Sequence, residues 1–572
     1  MSRALVVLLF AAPALHAQDW PQWGRSPQHD GRSPAAAQRL DRIEARVVVD
    51  PFTAAEKEET GGFLVVHYPV PLVDGDDLYL LEKGGTFTSS ANRNTQTWNV
   101  KNVRRTAAGF AKQWMFASDW LPVPRGEGIG PQWEPVFHPA LGADALWVPG
   151  AGGTMFKVRR TDGALIARVN PFGTAVNASI FGAGPPAVDA AGNLFYTAMQ
   201  FGPASWNGDP LGAWLVRIAA DGTTSTATFA SLTPNAPAAD ALCTTVFNQS
   251  QLPFPPSPNA VAPAFRCGPQ RPGFNATPAI GADGTIYIVS RAHFNDRYGF
   301  LVAVNPDLTP KWSTSMRNRF LDGCNVTLPP NGLPGGCRAG AVTGFDPTDN
   351  LPGSGRVLDD STSSPVVLPD GILYGAYSAY NYRQGHLMKF SAAGAFLGAY
   401  GFGWDITPAV WPHGQMYSIV MKENRYNAGS YCGSPIHCPS RNLSAPNDPE
   451  QYFITQLSPS LQVEWQFKNT ETQACERIGD TTRCVTQTTH GFEWCVNAVA
   501  VDRNGVVYAN SEDGYLYAID QGGTRRQRIF LEEALGAAYT PLSLGNDGRI
   551  YTQNDGTVFV VGNIARRRAA GR

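Results

Sequence analysis

Apolar and polar positions alternate along this chain in short runs broken by glycine, proline, asparagine and aspartate, and the same arrangement returns eight times. The copies are VPLVDGDDLYLL (70–81), HPALGADALWVP (138–149), PPAVDAAGNLFYTA (185–198), TPAIGADGTIYIVS (277–290), SPVVLPDGILYGAY (364–377), TPAVWPHGQMYSIV (407–420), NAVAVDRNGVVYAN (497–510) and TPLSLGNDGRIYTQ (540–553). A period of two predicts strands. A glycine-bearing turn between two such runs predicts a hairpin, because residues tolerant of positive φ fit the turns that match strand twist. Several copies lead into a further alternating run, such as LVAVNPDLTPKW (301–312) and FITQLSPSLQVEW (453–465). The predicted unit is therefore a four-stranded antiparallel blade, often with an outer tryptophan.

Tyr374 and Tyr417, and again Tyr508 and Tyr551, lie 43 residues apart, which is the size of a propeller blade. The expected fold is all-β: an eight-bladed β-propeller over residues 42–563, preceded by an N-terminal arm (18–41) and followed by a basic tail (564–572). After the last copy the chain ends before a fourth strand can form. The run RIEARVVVD (42–50) has no blade of its own, so it is expected to supply that outer strand and close the ring, removing two open sheet edges. Longer spacings hold insertions at about 230–270, 315–360, 425–450 and 470–495, expected as loops on one face.

Residues 1–17, MSRALVVLLFAAPALHA, have the layout of a cleaved secretory signal, with an early Arg3, an apolar run and a small Ala17 before Gln18. The run is too short to span a bilayer and carries no cysteine for a lipid anchor. The expected location is periplasmic or extracellular. Net charge is −2 with 16% charged residues, so there is no basic excess for a nucleic acid or an anionic membrane. Nine cysteines in an exported chain predict disulfides. Local pairing favours Cys243 with Cys267, Cys324 with Cys337 and Cys432 with Cys438, leaving Cys475, Cys484 and Cys495 for one more bridge and one odd thiol. The patch YCGSPIHCPSRN offers Cys432, His437 and Cys438 as zinc ligand types, but the spacing matches no usual zinc pattern.

The unit TPAIGADGTIYIVS … LVAVNPDLTPKW resembles the repeat of the pyrroloquinoline-quinone (PQQ)-type propellers, a superfamily that includes quinoprotein alcohol dehydrogenases and the outer-membrane assembly lipoprotein BamB. The opening of the mature chain, DWPQWGRSPQHDG, is similar to the segment that starts many bacterial members. There Trp20 and Trp23 are expected to pin the arm against the ring, with Pro21, Gly24 and Gly31 shaping its turns.

In a propeller the innermost strands line the central channel, so residues just upstream of each copy converge on one mouth. That set includes His67, Tyr68, Trp133, Glu134, Phe181, Asn275, Asp359, Asp360, Trp404, Asp405, His490, Glu493, Trp494 and Tyr539. Its chemistry is that of a funnel for a small polar ligand, where Glu134, Asn275 and Asp360, with Asp405, are oxygen donors suited to calcium. The resemblance implies, for members that carry PQQ, a tryptophan floor, calcium and a catalytic aspartate. Trp404, Trp494, Trp133 and His490 would then contact the cofactor, and Asp405 or Asp360 would act as base. Adjacent cysteines and a Cys-x-x-Cys-His haem motif are both missing. The reading that follows is a binding or scaffold protein for a protein, peptide or glycan partner, with a PQQ- and calcium-dependent dehydrogenase of alcohols or aldoses as the alternative.

Overall fold

A computed structural model of the chain describes residues 18–563, apart from 127–128, 249–253, 334–335, 378–384, 426–449, 479–480, 489 and 533–539. The expected signal, the basic tail, Tyr539 and the Cys432, His437, Cys438 patch lie outside the described residues.

Each of the eight sequence copies forms the two inner strands of one four-stranded antiparallel blade. In blade 1, for example, strands Leu72–Asp74 and Asp77–Gly85 pair through Leu72 with Tyr79, and Gln96–Thr106 and Gly109–Ala117 complete the sheet. Blades 3 and 4 carry an extra inner segment each, Ile180–Gly182 and Gln270–Pro272, paired to the same second strand. The inner strands are buried almost continuously because both faces of a blade pack on neighbours. Tyr196, Tyr374, Tyr508 and Tyr551 of the repeat are all at most 1–2% exposed. The outer tryptophans lock one blade to the next. Trp114 lies on Gly163 and donates through Nε1 to Arg160 O at 3.0 Å, and Trp312 lies on Gly394 and donates to Ala392 O at 3.0 Å. A side chain at Gly394 would place Cβ 2.8 Å from the Trp312 ring.

The ring closes through the N-terminus. Strand Arg42–Val48 pairs antiparallel with the last strand, Thr557–Gly562, in a register running from Arg42 opposite Gly562 to Val48 opposite Thr557. The next residues lead into a short helix, Thr53–Thr60, which the sequence pattern did not anticipate. Asp50, just past the closing strand, is held by the Tyr68 hydroxyl at 3.0 Å and the Lys83 ammonium at 2.9 Å, and Lys83 also reaches Glu134 at 3.0 Å. All of these groups are buried. Burial acts to lower the Lys83 pKa, but Glu134 and Asp50 outweigh it and hold the ammonium above its usual range.

The arm 18–41 runs across the ring and bonds to every blade. Trp20 pairs with Val73 of blade 1, Leu141 N–H of blade 2 donates to Pro21 O, and Gln22 exchanges two bonds with Val188 of blade 3. Ile280 of blade 4 donates to Pro27 O, Val367 of blade 5 to Gln28 O, and Val410 of blade 6 to Asp30 O. Val501 of blade 7 donates to Gly31 O, and blade 8 is met twice, through Asn546 N–H to Asp19 and Gln38 N–H to Gly548 O. Trp23 and His29 turn inward and are completely buried, Trp23 donating to Thr407 Oγ1 at 3.3 Å. Gly31 has φ +59, and a Cβ there would lie 2.8 Å from Ala409 Cβ, so the crossing demands glycine.

Strand four of each blade runs back to the face on which the next inner strand begins, so the long connections between blades emerge on the face opposite the arm. Two of them, between blades 3 and 4 and between blades 4 and 5, pack together into a cap. It has its own small core of Phe247, Phe254, Leu328, Cys324 and Cys337. Cys243–Cys267 and Cys324–Cys337 form the disulfides that local pairing favoured. Phe247 N–H donates to Thr348 O at 2.9 Å across the two insertions, and Arg297 of blade 4 anchors Asp346 and Asp349 at 3.0 and 2.8 Å. A third insertion forms a hairpin, Gln473–Ile478 with Thr481–Thr486, bridged by Cys475–Cys484. Among the described residues the free cysteine is Cys495, which is buried.

Trp23→Ala should remove about 3–5 kcal/mol of stability, the range for a large buried aromatic, read as a fall in the urea midpoint; a change within error would separate the arm from the stability of the ring. Burial pushes the imidazoles of His29 and His138 down from 6.5 to about 4. The unfolded chain therefore takes up these protons first, and stability present above pH 6.5 drains away as pH falls towards 4. His29→Gln should make that loss shallower in melts run at pH 7, 5 and 4, and parallel curves for the two proteins would contradict the assignment.

Candidate functional site

The arm closes one mouth of the axis, and the other end holds the residues upstream of the repeats. On the arm side the Trp23 indole reaches Thr407. Thr407 Oγ1 also accepts Ser364 N–H at 3.2 Å and donates to Thr362 O at 3.3 Å. Above it Asp405 accepts hydroxyls from Ser361 and Thr362, both at 2.8 Å, and from Ser363 at 3.2 Å. Asn497 reaches the same Thr362 hydroxyl at 2.6 Å. The run Ser361–Ser363 thus wraps the carboxylate and holds Asp405 in its left-handed conformation, φ 47.

Nearer the open mouth lie His67, Trp133, Asp360 and Trp404. Asp360 accepts the backbone N–H groups of Gln132 at 2.6 Å and Trp133 at 2.9 Å through one oxygen. Its burial, only partly offset by those bonds, raises its pKa to about 6. The ring of Trp133 lies over His67 with centroids 5.2 Å apart, and His67 Nδ1 is 3.1 Å from Glu134 O. Burial holds the His67 pKa below its usual value although Asp405 pulls the other way. Trp404 stands edge-on to Tyr377 at 4.8 Å. These residues form a polar, aromatic cluster around the buried Asp360 carboxyl.

The remaining candidates are engaged elsewhere. Glu134 takes the Trp98 indole at 2.7 Å on one oxygen and Lys83 and Arg93, at 3.0 and 2.9 Å, on the other. Asn275, at φ 67, bridges two blades, accepting Val136 N–H and donating to Asp359 O, both at 2.9 Å. Asp359 points away from its neighbour Asp360 and is clamped by Arg271 at 2.7 and 2.8 Å and by Arg291 at 3.2 Å; these cations more than offset the effect of burial and keep its pKa low. Trp494 is fully buried against Tyr517, 5.1 Å away, and His490 stands beside Tyr452 and Glu450. Among the described residues no three His, Cys, Asp or Glu side chains are grouped so as to hold a metal ion. Of the oxygen donors expected for calcium, Glu134, Asn275 and Asp405 make hydrogen bonds within the protein, and Asp360 gives one oxygen to two backbone amides.

One residue of the site was not singled out from the sequence. Lys422, in the second strand of blade 6 (Met416–Arg425), is completely buried, and burial lowers its pKa although Asp405 and Glu493 oppose the shift. A lysine that follows the apolar run Ile419–Met421 inside a fully buried stretch of strand, MYSIVMKENR, is the signal that marks it.

Among the described residues no helix is long and apolar enough to cross a membrane. No protein-family model matches the chain, and no curated protein sequence matches it. Solved structures do resemble it. Quinohemoprotein alcohol dehydrogenase ADHIIG from Pseudomonas putida HK5 aligns with a TM-score of 0.51 at 11% identity, covering 97% of this chain and 82% of that one. The quinohemoprotein alcohol dehydrogenase from Comamonas testosteroni gives 0.49 at 13% identity over 97% and 82% of the two chains. BamB from Moraxella catarrhalis gives 0.37 at 10% identity over 93% and 99%. The chain has the fold of the PQQ-type propellers.

Proposed function

We propose that this protein is an exported binding propeller that engages a protein, peptide or glycan through the face bearing the cap and the open mouth. The observation that carries the reading is the cap itself. Two insertions share a core, two disulfides and the Arg297 anchor, and yet leave Leu242, Val261, Phe265, Leu321 and Leu333 more than half exposed. Rigid loops that hold apolar side chains in water are a surface prepared for contact. The three disulfides fit an oxidising compartment.

The alternative is a PQQ- and calcium-dependent dehydrogenase oxidising an alcohol or aldose. It draws support from Asp360, whose pKa near 6 suits a proton acceptor beside Trp133 and His67. The commitment of Glu134 and Asn275 to internal bonds weighs against it.

Photo-crosslinking groups at positions 261 and 265 should capture a defined species from the native extracellular or periplasmic fraction, while one at exposed Thr226 on a blade edge should not; equal capture at all three would sink the cap as a docking surface. Melting the protein with PQQ, with calcium or with chelator, should leave the midpoint unmoved. A calcium-dependent gain of about 2.7 kcal/mol at a hundredfold excess over the dissociation constant would replace the binding reading with the dehydrogenase.

A further inference from the structure

Where the cap meets blade 4, an open groove of about 470 Å3 runs between Asn235 and Pro237 of the first insertion and the outer strand Pro310–Ser315. Its volume lies within the range of small-molecule sites. Tyr298 and Phe300 form one wall, and Arg317 and Arg319, at the start of the second insertion, close the end. The Arg317 guanidinium stacks on Tyr298 with Cζ 4.0 Å from the ring centroid. That ring is itself held, because its hydroxyl accepts Thr244 N–H at 2.9 Å. Stacking fixes the plane of the guanidinium fork before any ligand arrives.

Among the described residues Nη1 of Arg317 has no hydrogen-bond partner although it is buried, and the same holds for Ser313 Oγ in the floor of the groove. A buried donor left without a partner is unfavourable, more so when charged. Arg319 lies beside it, donating through Nε and Nη2 to Ser315 O at 3.0 and 2.8 Å. None of the described residues lining the groove carries a carboxylate. The nearest acidic influence on Arg317 is Asp349, which is already paired with Arg297 at 2.8 Å. Two arginines therefore line a groove whose other polar side-chain groups are hydroxyls and one amide.

We propose that this groove binds a small, sugar-sized molecule bearing an oxyanion, with Arg317 as the anchor, Arg319 as the second cation and Ser313 as the hydroxyl contact. Carboxylate, sulfate and phosphate share the geometry that a guanidinium fork recognises. The site stands apart from the proposed apolar contacts of the cap and survives their failure.

Isothermal titration of the mature chain with glucuronate, glucose 6-sulfate, glucose 6-phosphate and glucose tests it. At least one acidic probe should bind and glucose should not; preference for glucuronate identifies a uronate-type ligand, and preference for the esters a sulfated or phosphorylated one. Arg317→Gln should weaken binding about tenfold, as expected for a lost charged hydrogen bond. Arg317→Lys should fall between the two, since it keeps the charge without the fork. Exposed Arg319→Gln serves as the variant that leaves folding intact, with its melting temperature as control, and it too should weaken binding. The proposal is overturned if no acidic probe binds, if glucose binds as well as they do, or if the arginine variants bind like the wild type.

Discussion

One segment of twenty-odd residues holds this ring in register. The arm from Asp19 to Gln38 exchanges hydrogen bonds with all eight blades in turn and sends Trp23 and His29 into the axis. A propeller is otherwise joined only by contacts between adjacent sheets, so an error in one blade need not be felt across the ring. Here each inner strand is also measured against a common template. Because that template crosses the ring at close quarters, Gly31 cannot be exchanged for a residue with a side chain without moving Ala409 or the backbone at Val499.

The closing strand and the arm make the same demand on folding from two directions. Arg42–Val48 pairs with residues more than five hundred positions later, and Asp19 with Asn546. Such contacts carry high loop-closure entropy and form late. Local hairpins and the tryptophan-on-glycine contacts between blades span far shorter stretches of chain. The Asp50, Lys83, Glu134 network belongs to the closure, since it joins the residue after the closing strand to blades 1 and 2. It also shows why a buried acidic residue is not by itself a ligand.

The repeats were legible because strand periodicity and turn chemistry are local properties, and the closing strand because the last copy was visibly one strand short. The site was only partly legible. Asp359 and Asp360 are adjacent and both precede a repeat, yet Asp359 is bound by two arginines from blade 4 while Asp360 takes backbone amides from the connection before blade 2. Which way each turns depends on Arg271, Arg291 and Gln132, distant in sequence. Glu134 and Trp494 likewise precede repeats but are directed into packing between elements, where their surroundings decide their role. Lys422 sits inside a strand, away from the loop positions that precede the repeats.

The inward turn of Trp23 and His29 has a consequence for traffic along the axis. The two side chains occupy the arm end of the axis, with Trp23 reaching Thr407. Contact with Asp360 and Trp404 would therefore come from the face opposite the arm.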